Sequence, residues 1–361
     1  MRVRVLRDVP NPHPAFGHPL PKGEGNAVQV AAGVLCNRRG QVLLMQRLPG
    51  KHLAGLWEFP GGKLEPGESV GAALVRELRE ELGIEATAYA PLASIPWRYP
   101  EKAVRLHACR VTAWRGEPTA VEGNPLRWMA LDEIEVNAMP AADAPIVAAL
   151  RLPSYYAIVD SGTSLVSSLV SHDIPPPHPN PLCHEKHGGE GGKRAAFAGE
   201  GGTAANTLWQ LRMPDAPRAV VRRAAIEFLQ VHPLQRERLL INQDIDLARE
   251  LGVGVHLKAA QFRELHSRPL TRNVWVGASC HDAEELDRAA SIGADFATLS
   301  PVCATASHRD TAPLGWERFA QIVADARLPV YALGGLTPDD LDCARAAGAQ
   351  GIAGIRAFRR L

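Results

Sequence analysis

The hydrophobic positions of the chain follow a strand pattern first and a helix pattern next. Two apolar runs, VQVAAGVL from Val28 and QVLLMQR from Gln41, flank the turn sequence NRRG at 37–40. This pattern predicts two strands joined by a hairpin loop. Between residues 69 and 82 the apolar residues recur three and four positions apart, and Gly83 follows as a typical helix stop. The spacing predicts a helix over 69–82.

Beyond Leu152 the pattern changes to short apolar segments that alternate with helical ones. The helical segments include 282–292 and 338–347. Eight strands in alternation with helices predict a (β/α)₈ TIM barrel, whose functional residues would lie at the carboxyl ends of the strands. The predicted strands are 155–160, 208–213, 239–244, 254–257, 274–280, 296–300, 329–335 and 351–355.

Length and composition favour two domains that act on small molecules. A chain of 361 residues suits two domains, each able to bury its own core. Its 40 Lys and Arg residues nearly balance its 39 Asp and Glu residues, so no basic field favours a nucleic-acid polymer as partner. We see no apolar run that would span a membrane and no apolar core of a signal peptide. The six cysteines lack C-x-x-C spacing, which argues against a zinc site or a disulfide framework and favours the cytoplasm.

Two related segments rich in Pro, Gly and His interrupt the apolar pattern. Residues 1–26 predict a flexible leader, and the string PPPHPNPLCHEKHGGEGG at 175–192 belongs to a predicted disordered insert at about 171–204. A metal site formed by the His and Cys residues of that string is the alternative, since both are metal ligands. The predicted organisation is a leader, an N-terminal domain over 27–150 and a barrel over 153–361 that contains the insert.

The predicted helix carries three glutamates on one face. Glu77, Glu80 and Glu81 are spaced i, i+3 and i+4, which gathers their carboxylates over a single turn. Like charges this close repel one another. A hard divalent cation such as Mg²⁺ or Mn²⁺, which prefers carboxylate and phosphate oxygens, is therefore expected between them. The alternative is a solvated helix whose glutamates face water.

A longer string around this helix favours the metal site. It consists of Gly62, five residues, Glu68, seven residues and the segment RELREELGI at 76–84, and it resembles the Nudix box at every fixed position. The resemblance implies a Nudix fold, which is an α/β/α sandwich with a mixed sheet. It also implies metal-dependent cleavage of a nucleoside diphosphate linked to another moiety.

Residues 28–150 narrow the resemblance to the MutT-type 8-oxo-dGTP diphosphatases. The segments that carry it are QR, EFPGGK, PWRYPEKAVRLHACRV, WRGEP and MPAADAPIV, in the order of that family. It implies Mg²⁺-dependent attack on the β-phosphorus of 8-oxo-dGTP, which releases 8-oxo-dGMP and pyrophosphate. It also implies that Glu77 is the base that activates water, with Glu122 as the rival, and that Arg76 supports catalysis. The implied metal ligands are the Gly61 carbonyl, Glu77, Glu80, Glu81 and Glu122.

The same resemblance implies a nucleotide-binding pocket. The family commonly has an asparagine, which donates and accepts hydrogen bonds, where this chain has Asp143. An ionised aspartate only accepts, so another nucleotide stays an alternative substrate. A damaged thiamine diphosphate is a further alternative, because it would unite both domains in one pathway. The implied nucleotide-binding residues are Arg47, His52, Glu58, Phe59, Pro60, Gly61, Gly62, Lys63 and Asp143.

The predicted barrel resembles thiamine phosphate synthase and its relative, the thiazole tautomerase. The likeness lies in QLR, LINQDIDLA, GVHL, GASCH, LSPV and LGGL, which end predicted strands. It implies a phosphate-bearing thiamine precursor as ligand, with Arg212 facing a diphosphate and the N–H groups of Gly334 and Gly335 facing a phosphate. The candidate barrel-site residues are Gln210, Arg212, Asn242, Asp244, His256, Ser279, His281, Ser300, Thr305, Ser307, Gly334 and Gly335.

Three positions depart from the synthase pattern. Pro214 stands where the family has a lysine, KAAQ at 258–261 replaces a G-Q-x-D string, and TASH at 305–308 replaces a Thr-x-Thr-Lys loop. Each lost charge-assisted contact to a metal–diphosphate weakens binding by about 1.5 to 3 kcal/mol. Three roles therefore stay open for the barrel: a synthase, a tautomerase with His281 as proton shuttle, or a non-catalytic module that senses a phosphate ligand and modulates or scaffolds the hydrolase.

Overall fold

The structure is a computed structural model that describes residues 27–51, 53–100, 102–159, 207–305 and 312–355. The predicted leader and insert lie outside these residues, as do His52 and Ser307. Within them the chain forms two domains, each with its own sheets and hydrophobic core.

The N-terminal domain contains two small β-sheets. Its strands are β1 (Val28–Leu35), β2 (Val42–Gln46), β3 (Trp57–Glu58), β4 (Gly61–Lys63), β5 (Glu85–Arg98), β6 (Ala103–Arg115) and β7 (Leu126–Met129). One sheet has the order β4-β1-β6-β5 and the other the order β3-β2-β7. Because β1 pairs in parallel with β6 and antiparallel with β4, the first sheet is mixed, as predicted.

The predicted strands β1 and β2 and the loop between them form, but the strands do not pair along their length as a hairpin. Its turn does form, because Asn37 Oδ1 accepts hydrogen bonds from the N–H groups of Arg39 at 2.9 Å and Gln41 at 3.1 Å. Beyond the bridge between Cys36 and Val42, however, the two strands separate into different sheets. The partner of a strand depends on the long-range contacts that bury it. Two apolar runs that are neighbours in the sequence do not indicate these contacts.

The predicted helix over 69–82 is confirmed as α1 (Val70–Leu82). The Ser69 side chain caps its N-terminus by accepting a hydrogen bond from the Ala72 N–H at 3.2 Å, and the helix ends at Gly83. Burial of one face against the four-stranded sheet sets the direction in which the glutamates point. The apolar residues of that face are Ala73, Leu74, Leu78 and Leu82.

A second core lies on the other face of the four-stranded sheet. Val34 belongs to this core, whereas the next residue of β1, Leu35, belongs to the core under α1. Consecutive strand residues point to opposite faces, so the two cores are separated by the sheet. Ile146 of α2 (Ala144–Arg151) closes the second core, which completes the predicted α/β/α sandwich. The 3₁₀ helices Leu131–Glu133, Val136–Ala138 and Ala141–Asp143 lead into α2.

The C-terminal domain is a closed barrel of eight parallel strands, which confirms the predicted TIM barrel. Its interior is filled by aromatic rings, with centroids 5.3 Å apart for Tyr156 and Phe296 and 5.5 Å apart for Phe296 and Tyr331. Its strands are β8 (Tyr155–Val159), β9 (Thr207–Leu211), β10 (Leu239–Asn242), β11 (Gly254–Leu257), β12 (Val276–Cys280), β13 (Phe296–Leu299), β14 (Val330–Leu333) and β15 (Gly351–Gly354). The helices in its described part are α3 (Arg218–Val231), α4 (Ile245–Leu251), α5 (Ala259–Glu264), α6 (Ala283–Ser291), α7 (Gly315–Val323) and α8 (Leu341–Ala346), with 3₁₀ helices at Pro233–Arg238 and Pro338–Asp340.

The N-terminal domain packs on the amino-terminal end of the barrel. Gln350, which precedes β15, donates from Nε2 to the carbonyl oxygens of Ala149 and Leu152 at 3.0 Å each. A crevice of about 1090 Å³ separates the domains elsewhere, and its barrel side includes Trp275 and Leu328, which precede β12 and β14. The carboxyl ends of the strands, where TIM barrels carry their functional residues, therefore face away from the N-terminal domain.

Within the described residues, Cys36, Cys109, Cys280 and Cys303 are free thiols. Among the helices of the described ranges, none combines the length and the apolar character that crossing a bilayer requires.

Candidate active sites

A cavity of about 550 Å³ in the N-terminal domain collects most of the predicted hydrolase residues. Its walls are formed by the β4 turn, α1, the β5–β6 hairpin and the 3₁₀ helix before α2. Acidic, basic and aromatic side chains therefore face one enclosed space. The predicted residues that line it are Arg47, Glu58, Phe59, Gly61, Gly62, Lys63, Glu77, Glu81, Glu122 and Asp143.

The turn at β4 brings the backbone of two glycines against the acidic helix. Gly61 has a φ of +144°, and a Cβ on it would lie 2.1 Å from the Ala31 carbonyl oxygen. Its N–H donates to Glu81 Oε2 at 2.8 Å. A Cβ on Gly62 would lie 2.3 Å from the carboxylate carbon of Glu77. Gly61 therefore requires glycine, whereas Gly62 leaves the space that the Glu77 carboxylate occupies.

Glu81 is a buried carboxylate among other carboxylates. The residue is 8% exposed. Burial, together with the nearby charges of Glu77, Glu58 and Glu122, raises its pKa to about 8 against the opposing hydrogen bond from the Gly61 N–H. A bound divalent cation would favour the ionised form of Glu81.

The chemistry of these donors fits a hard divalent cation. Glu77, Glu81 and Glu122 offer carboxylate oxygens and Gly61 offers a carbonyl oxygen, which are ligands that Mg²⁺ and Mn²⁺ prefer. Across the described ranges, no three Asp, Glu, His or Cys side chains already surround one metal position. The acids share a cavity without converging on one point, so they would have to move together to share an ion.

Arg76 does not line the cavity and instead holds acidic side chains from outside it. Its guanidinium donates to Glu68 at 2.8 and 3.0 Å, to Glu77 at 2.8 Å and to Glu80 at 3.2 Å. It also donates to the Lys63 carbonyl oxygen at 3.0 Å. The hydrogen bonds that it donates to Glu68 and Glu77 raise the pKa of Arg76, so its charge is permanent. Arg76 therefore fixes the orientation of Glu77 relative to the turn that follows β4.

Glu80 does not join the other two helix glutamates, contrary to the expected gathering of three carboxylates. Its side chain is 52% exposed and does not line the cavity, whereas Glu81 is buried. Neighbouring helix positions point in different directions, so the face that carries Glu81 into the cavity turns Glu80 towards solvent.

Asp143 is a buried carboxyl group next to an ion pair. It is 4% exposed, and the Arg47–Glu58 pair lies beside it in the same cavity. Burial raises the pKa of Asp143 well above its usual value, the charge of Glu58 raises it further, and Arg47 opposes them. The surroundings thus favour the protonated form, which both donates and accepts hydrogen bonds.

Several groups of the cavity were missed by the sequence reasoning. Tyr99 and Lys102, at the tip of the β5–β6 hairpin, line the cavity, and the Tyr99 hydroxyl accepts a hydrogen bond from the Ala142 N–H at 3.4 Å. Lys51 Nζ lies 3.6 Å from Glu122 Oε2. The YPEK sequence signals a turn, but its reach into the cavity depends on the strand register. The predicted residue Pro60 does not line the cavity. Its carbonyl oxygen accepts a hydrogen bond from the Gly33 N–H at 2.8 Å, within the scaffold.

In the barrel, a chain of hydrogen bonds runs through His256. Its Nδ1 lies 2.9 Å from the Tyr156 hydroxyl and its Nε2 lies 2.8 Å from Ser279 Oγ. Burial, together with the positive charge of Arg212, lowers the pKa of His256 to about 3. The imidazole is therefore neutral, and it donates through one nitrogen and accepts through the other.

Other predicted barrel residues are engaged by the scaffold. Gln210 Nε2 donates to Asn242 Oδ1 at 2.8 Å. Asp244 caps α4 by accepting the Leu247 N–H at 2.8 Å and also pairs with Arg218 at 2.8 Å. These contacts hold the ends of β9 and β10 together, and they occupy Asp244 with structural bonds.

His281 follows β12 and is held by a buried carboxylate. Its Nδ1 and its backbone N–H lie 2.9 and 2.8 Å from Glu285 Oε2, and Glu285 is 6% exposed. Gly334 and Gly335 follow β14 and pack against the loop after β13, where a Cβ on Gly335 would lie 2.7 Å from the Ala304 carbonyl oxygen. Thr305 lies in that same loop. His281, Thr305 and the two glycines therefore follow the carboxyl ends of β12, β13 and β14, where the sequence predicted a site.

Two protein families match the chain. Residues 27–150 match the family described as "NUDIX domain", and residues 193–358 match "Thiamine monophosphate synthase". The N-terminal part is 35% identical over 124 residues to the 8-oxo-dGTP diphosphatase of Escherichia coli, which covers 34% of this chain and 96% of that protein. The C-terminal part is 35% identical over 150 residues to putative thiamine-phosphate synthase 2 of Aquifex aeolicus, which covers 41% of this chain and 81% of that protein. The chain is a Nudix hydrolase fused to a member of the thiamine phosphate synthase family.

The Nudix domain also has a relative of another specificity. It is 43% identical over 122 residues to the CTP pyrophosphohydrolase of Escherichia coli, which covers 34% of this chain and 90% of that protein. The similarity to these relatives therefore shows that the domain is a hydrolase, but it does not identify the nucleotide substrate. In the thiamine phosphate synthase-like barrel, the family match begins at residue 193 and so leaves out β8, which closes the barrel between β9 and β15.

Proposed function

We propose that the Nudix domain hydrolyses 8-oxo-dGTP to 8-oxo-dGMP and pyrophosphate with Mg²⁺ or Mn²⁺ as cofactor, and so removes an oxidised nucleotide before it enters DNA. The supporting observation is that one cavity contains both helix carboxylates suited to a metal–triphosphate and a buried Asp143 beside Phe59 suited to a base. Lys51, Lys63 and Lys102 add positive charge for a polyanionic substrate.

The acidic residues of the cavity would have two functions in hydrolysis, metal binding and proton acceptance. Gly61, Glu77, Glu81 and Glu122 would hold the ion, and Glu80 would join them only by turning inwards. The ion supplies charge neutralisation at the triphosphate and lowers the pKa of a water molecule. Glu77 accepts the proton of the attacking water as general base, and Glu122 is the alternative base.

A neutral Asp143 would distinguish the oxidised base by its hydrogen-bonding pattern. 8-Oxoguanine carries a hydrogen on N7, where guanine carries a lone pair. A carboxylic acid can donate its O–H to the 6-oxo group and accept the N7–H of 8-oxoguanine, whereas its carbonyl oxygen would face a lone pair on guanine. In this protonated form, Asp143 offers the same pair of donor and acceptor as an asparagine amide.

The proposal is tested by measuring kcat/KM for 8-oxo-dGTP, dGTP, CTP and oxidised thiamine diphosphate from about pH 6 to about pH 9. We expect 8-oxo-dGTP to be preferred over dGTP by at least about tenfold. The KM for 8-oxo-dGTP should rise with pH, because the neutral acid is present below the raised pKa of Asp143 and is lost above it. In Asp143→Asn the preference should persist and this rise should disappear, since an amide does not ionise.

The comparison with Asp143→Asn separates Asp143 from the other ionisable groups of the cavity. Glu81, Glu58 and Tyr99, whose pKa values are raised by burial, are present in both proteins, so only the difference between the two profiles reports on Asp143. Identical profiles would contradict the role of the neutral acid. CTP is the second candidate substrate, because the Nudix domain is similar to the CTP pyrophosphohydrolase of Escherichia coli. A preference for CTP or for the thiamine compound would keep the hydrolase chemistry and replace the substrate.

For the barrel we propose binding of a phosphate-bearing thiamine precursor, with tautomerase-like proton transfer at His281. The supporting observation is the 2.9 Å contact between His281 Nδ1 and the buried Glu285 carboxylate, which favours the tautomer that carries its hydrogen on Nδ1. Nε2 is then the proton acceptor. Arg212 and the N–H groups of Gly334 and Gly335 would bind the phosphate.

In the full chain, His281→Asn should lower the rate of thiazole phosphate tautomerisation by about 10²-fold or more. Phosphate binding, measured by calorimetry, should persist, because the substitution leaves Arg212 in place. His266→Asn is the matched control, since His266 is exposed and outside the predicted site. Formation of thiamine phosphate from the pyrimidine diphosphate and the thiazole phosphate would instead assign a synthase. Binding without either reaction would assign a sensor.

A further inference from the structure

The barrel contacts two elements, β6 and α2, that continue into walls of the nucleotide cavity, and we propose that it is a positioning element of the hydrolase, acting mainly through Asp325. The inference rests on the proposed hydrolysis of a nucleoside triphosphate. It adds a role for a domain that does not touch that substrate. Two sets of contacts across the domain boundary support it.

The first contact is made by Arg105 on β6. Its Nη2 donates to Asp325 Oδ1 at 2.8 Å and its Nη1 donates to the Ala324 carbonyl oxygen at 3.2 Å, where both acceptors follow α7 of the barrel. The Arg105 side chain is 7% exposed and that of Asp325 is 45% exposed. Because a buried guanidinium requires a carboxylate partner, Asp325 fixes the position of β6 against the barrel.

The strand that Arg105 anchors is also a wall of the cavity. Side chains alternate along a strand, so Val104 and Leu106, on either side of Arg105, point to the opposite face, and both line the cavity. The hairpin that precedes them is closed by the hydrogen bond from the Tyr99 N–H to the Lys102 carbonyl oxygen at 2.8 Å, and both residues line the cavity as well. A shift of Arg105 would therefore move this wall through the backbone.

The second contact holds the helix that follows Asp143. Gln350 of the barrel donates to the Ala149 carbonyl oxygen of α2 at 3.0 Å, and α2 begins directly after Asp143. The Ala142 N–H donates to the Tyr99 hydroxyl at 3.4 Å. The hairpin and the start of α2 are thus joined to each other at the cavity, and each is also joined to the barrel.

Away from these contacts, a crevice of about 1090 Å³ lies between the domains, so the contacts of Asp325 and Gln350 are not backed by continuous packing there. A single substitution should therefore be felt at the cavity. The walls concerned would bind the nucleotide in the ground state and in the transition state alike, while the reacting groups lie on α1. Their displacement should weaken substrate binding and leave the chemical step nearly unchanged.

The test compares full-length wild type with Asp325→Ala. We expect the KM for the preferred nucleoside triphosphate to rise about five- to tenfold while kcat changes less than about twofold. Hydrogen–deuterium exchange should accelerate in peptides that cover residues 98–103. Asp325→Glu should recover most of the KM, because it restores the carboxylate. Gln350→Ala should raise KM in the same direction, through α2.

The matched control is Asp246→Ala, which removes an exposed barrel carboxylate that pairs with Arg249 and does not line the crevice. Unchanged KM and unchanged exchange in Asp325→Ala would overturn the proposal, and so would an equal rise in the control. If wild type hydrolyses none of the nucleoside triphosphates, the proposed function fails. The exchange of residues 98–103 then decides the link between the domains by itself.

Discussion

Replacing Glu77 by glutamine is expected to lower kcat for nucleotide hydrolysis by about 10²- to 10⁴-fold, the usual contribution of a general base. Glutamine keeps the size of the side chain but can neither accept the proton of the attacking water nor offset the charge of a bound cation. The hydrogen bond from Arg76 is retained in part, because the amide oxygen still accepts. Steady-state kinetics with Mg²⁺, together with the Tm of the variant, measures the effect separately from stability.

The control is Glu85→Gln, since Glu85 begins β5, is exposed and forms a 3.7 Å surface pair with Arg115. It should change kcat less than about twofold.

The structure also predicts how strongly each glutamate of α1 affects the rate. Glu81→Gln should approach Glu77→Gln in severity, and Glu80→Gln should be milder, because Glu80 lies outside the cavity. Equal losses for all three would show that α1 or its side chains rearrange when a cation binds.

The substitution Gly62→Ala is expected to lower hydrolysis by about 10²-fold without unfolding the domain. The added methyl group would occupy the place of the Glu77 carboxylate, whose carbon lies 2.3 Å from the ideal Cβ position. The carboxylate lies at the end of a flexible side chain, so it can move away at small expense of stability. A displacement of about 1 Å in a catalytic group is enough to lose about 10²-fold in rate.

Two other glycines calibrate this result. Gly67→Ala adds a methyl group in open space at a φ of +82°, so it reports backbone strain without contact with Glu77. Gly61→Ala would place its Cβ 2.1 Å from the Ala31 carbonyl oxygen. Backbone strain alone costs about 1 to 3 kcal/mol, and Gly61→Ala should destabilise the domain by more than that. Full activity of Gly62→Ala, with normal Tm, would show that the Glu77 carboxylate is not needed where the structure places it.

Elements governed by local spacing could be predicted from the sequence. The helix α1 follows from its apolar spacing and its Gly83 stop, and the barrel follows from eight short apolar runs separated by helices. The predicted strand 239–244 is shorter in the structure, at Leu239–Asn242, because Asp244 caps the next helix. The partner of β2 could not be predicted, since it depends on contacts between residues far apart in the chain.

The candidate hydrolase site could be predicted where a contiguous motif carries it. The motif brings Glu77 and Glu81 to the cavity, yet it does not distinguish them from Glu80, because side-chain direction is set by how α1 packs on the sheet. Tyr99 was missed for a similar reason, since the register of β5 against β6 decides how far the hairpin reaches. The burial of Asp143, on which its protonation depends, is a property of the fold.

The packing of the Nudix domain on the amino-terminal end of the barrel has a consequence for how the two domains share one chain. Ligands would enter the barrel from the end that faces away from the hydrolase, so a product of hydrolysis would have to pass through bulk solvent to reach that end. The fusion does not by itself provide a path between the two sites. What it ensures is stoichiometry: each translated hydrolase brings one barrel with it, and the two domains are made in equal amounts.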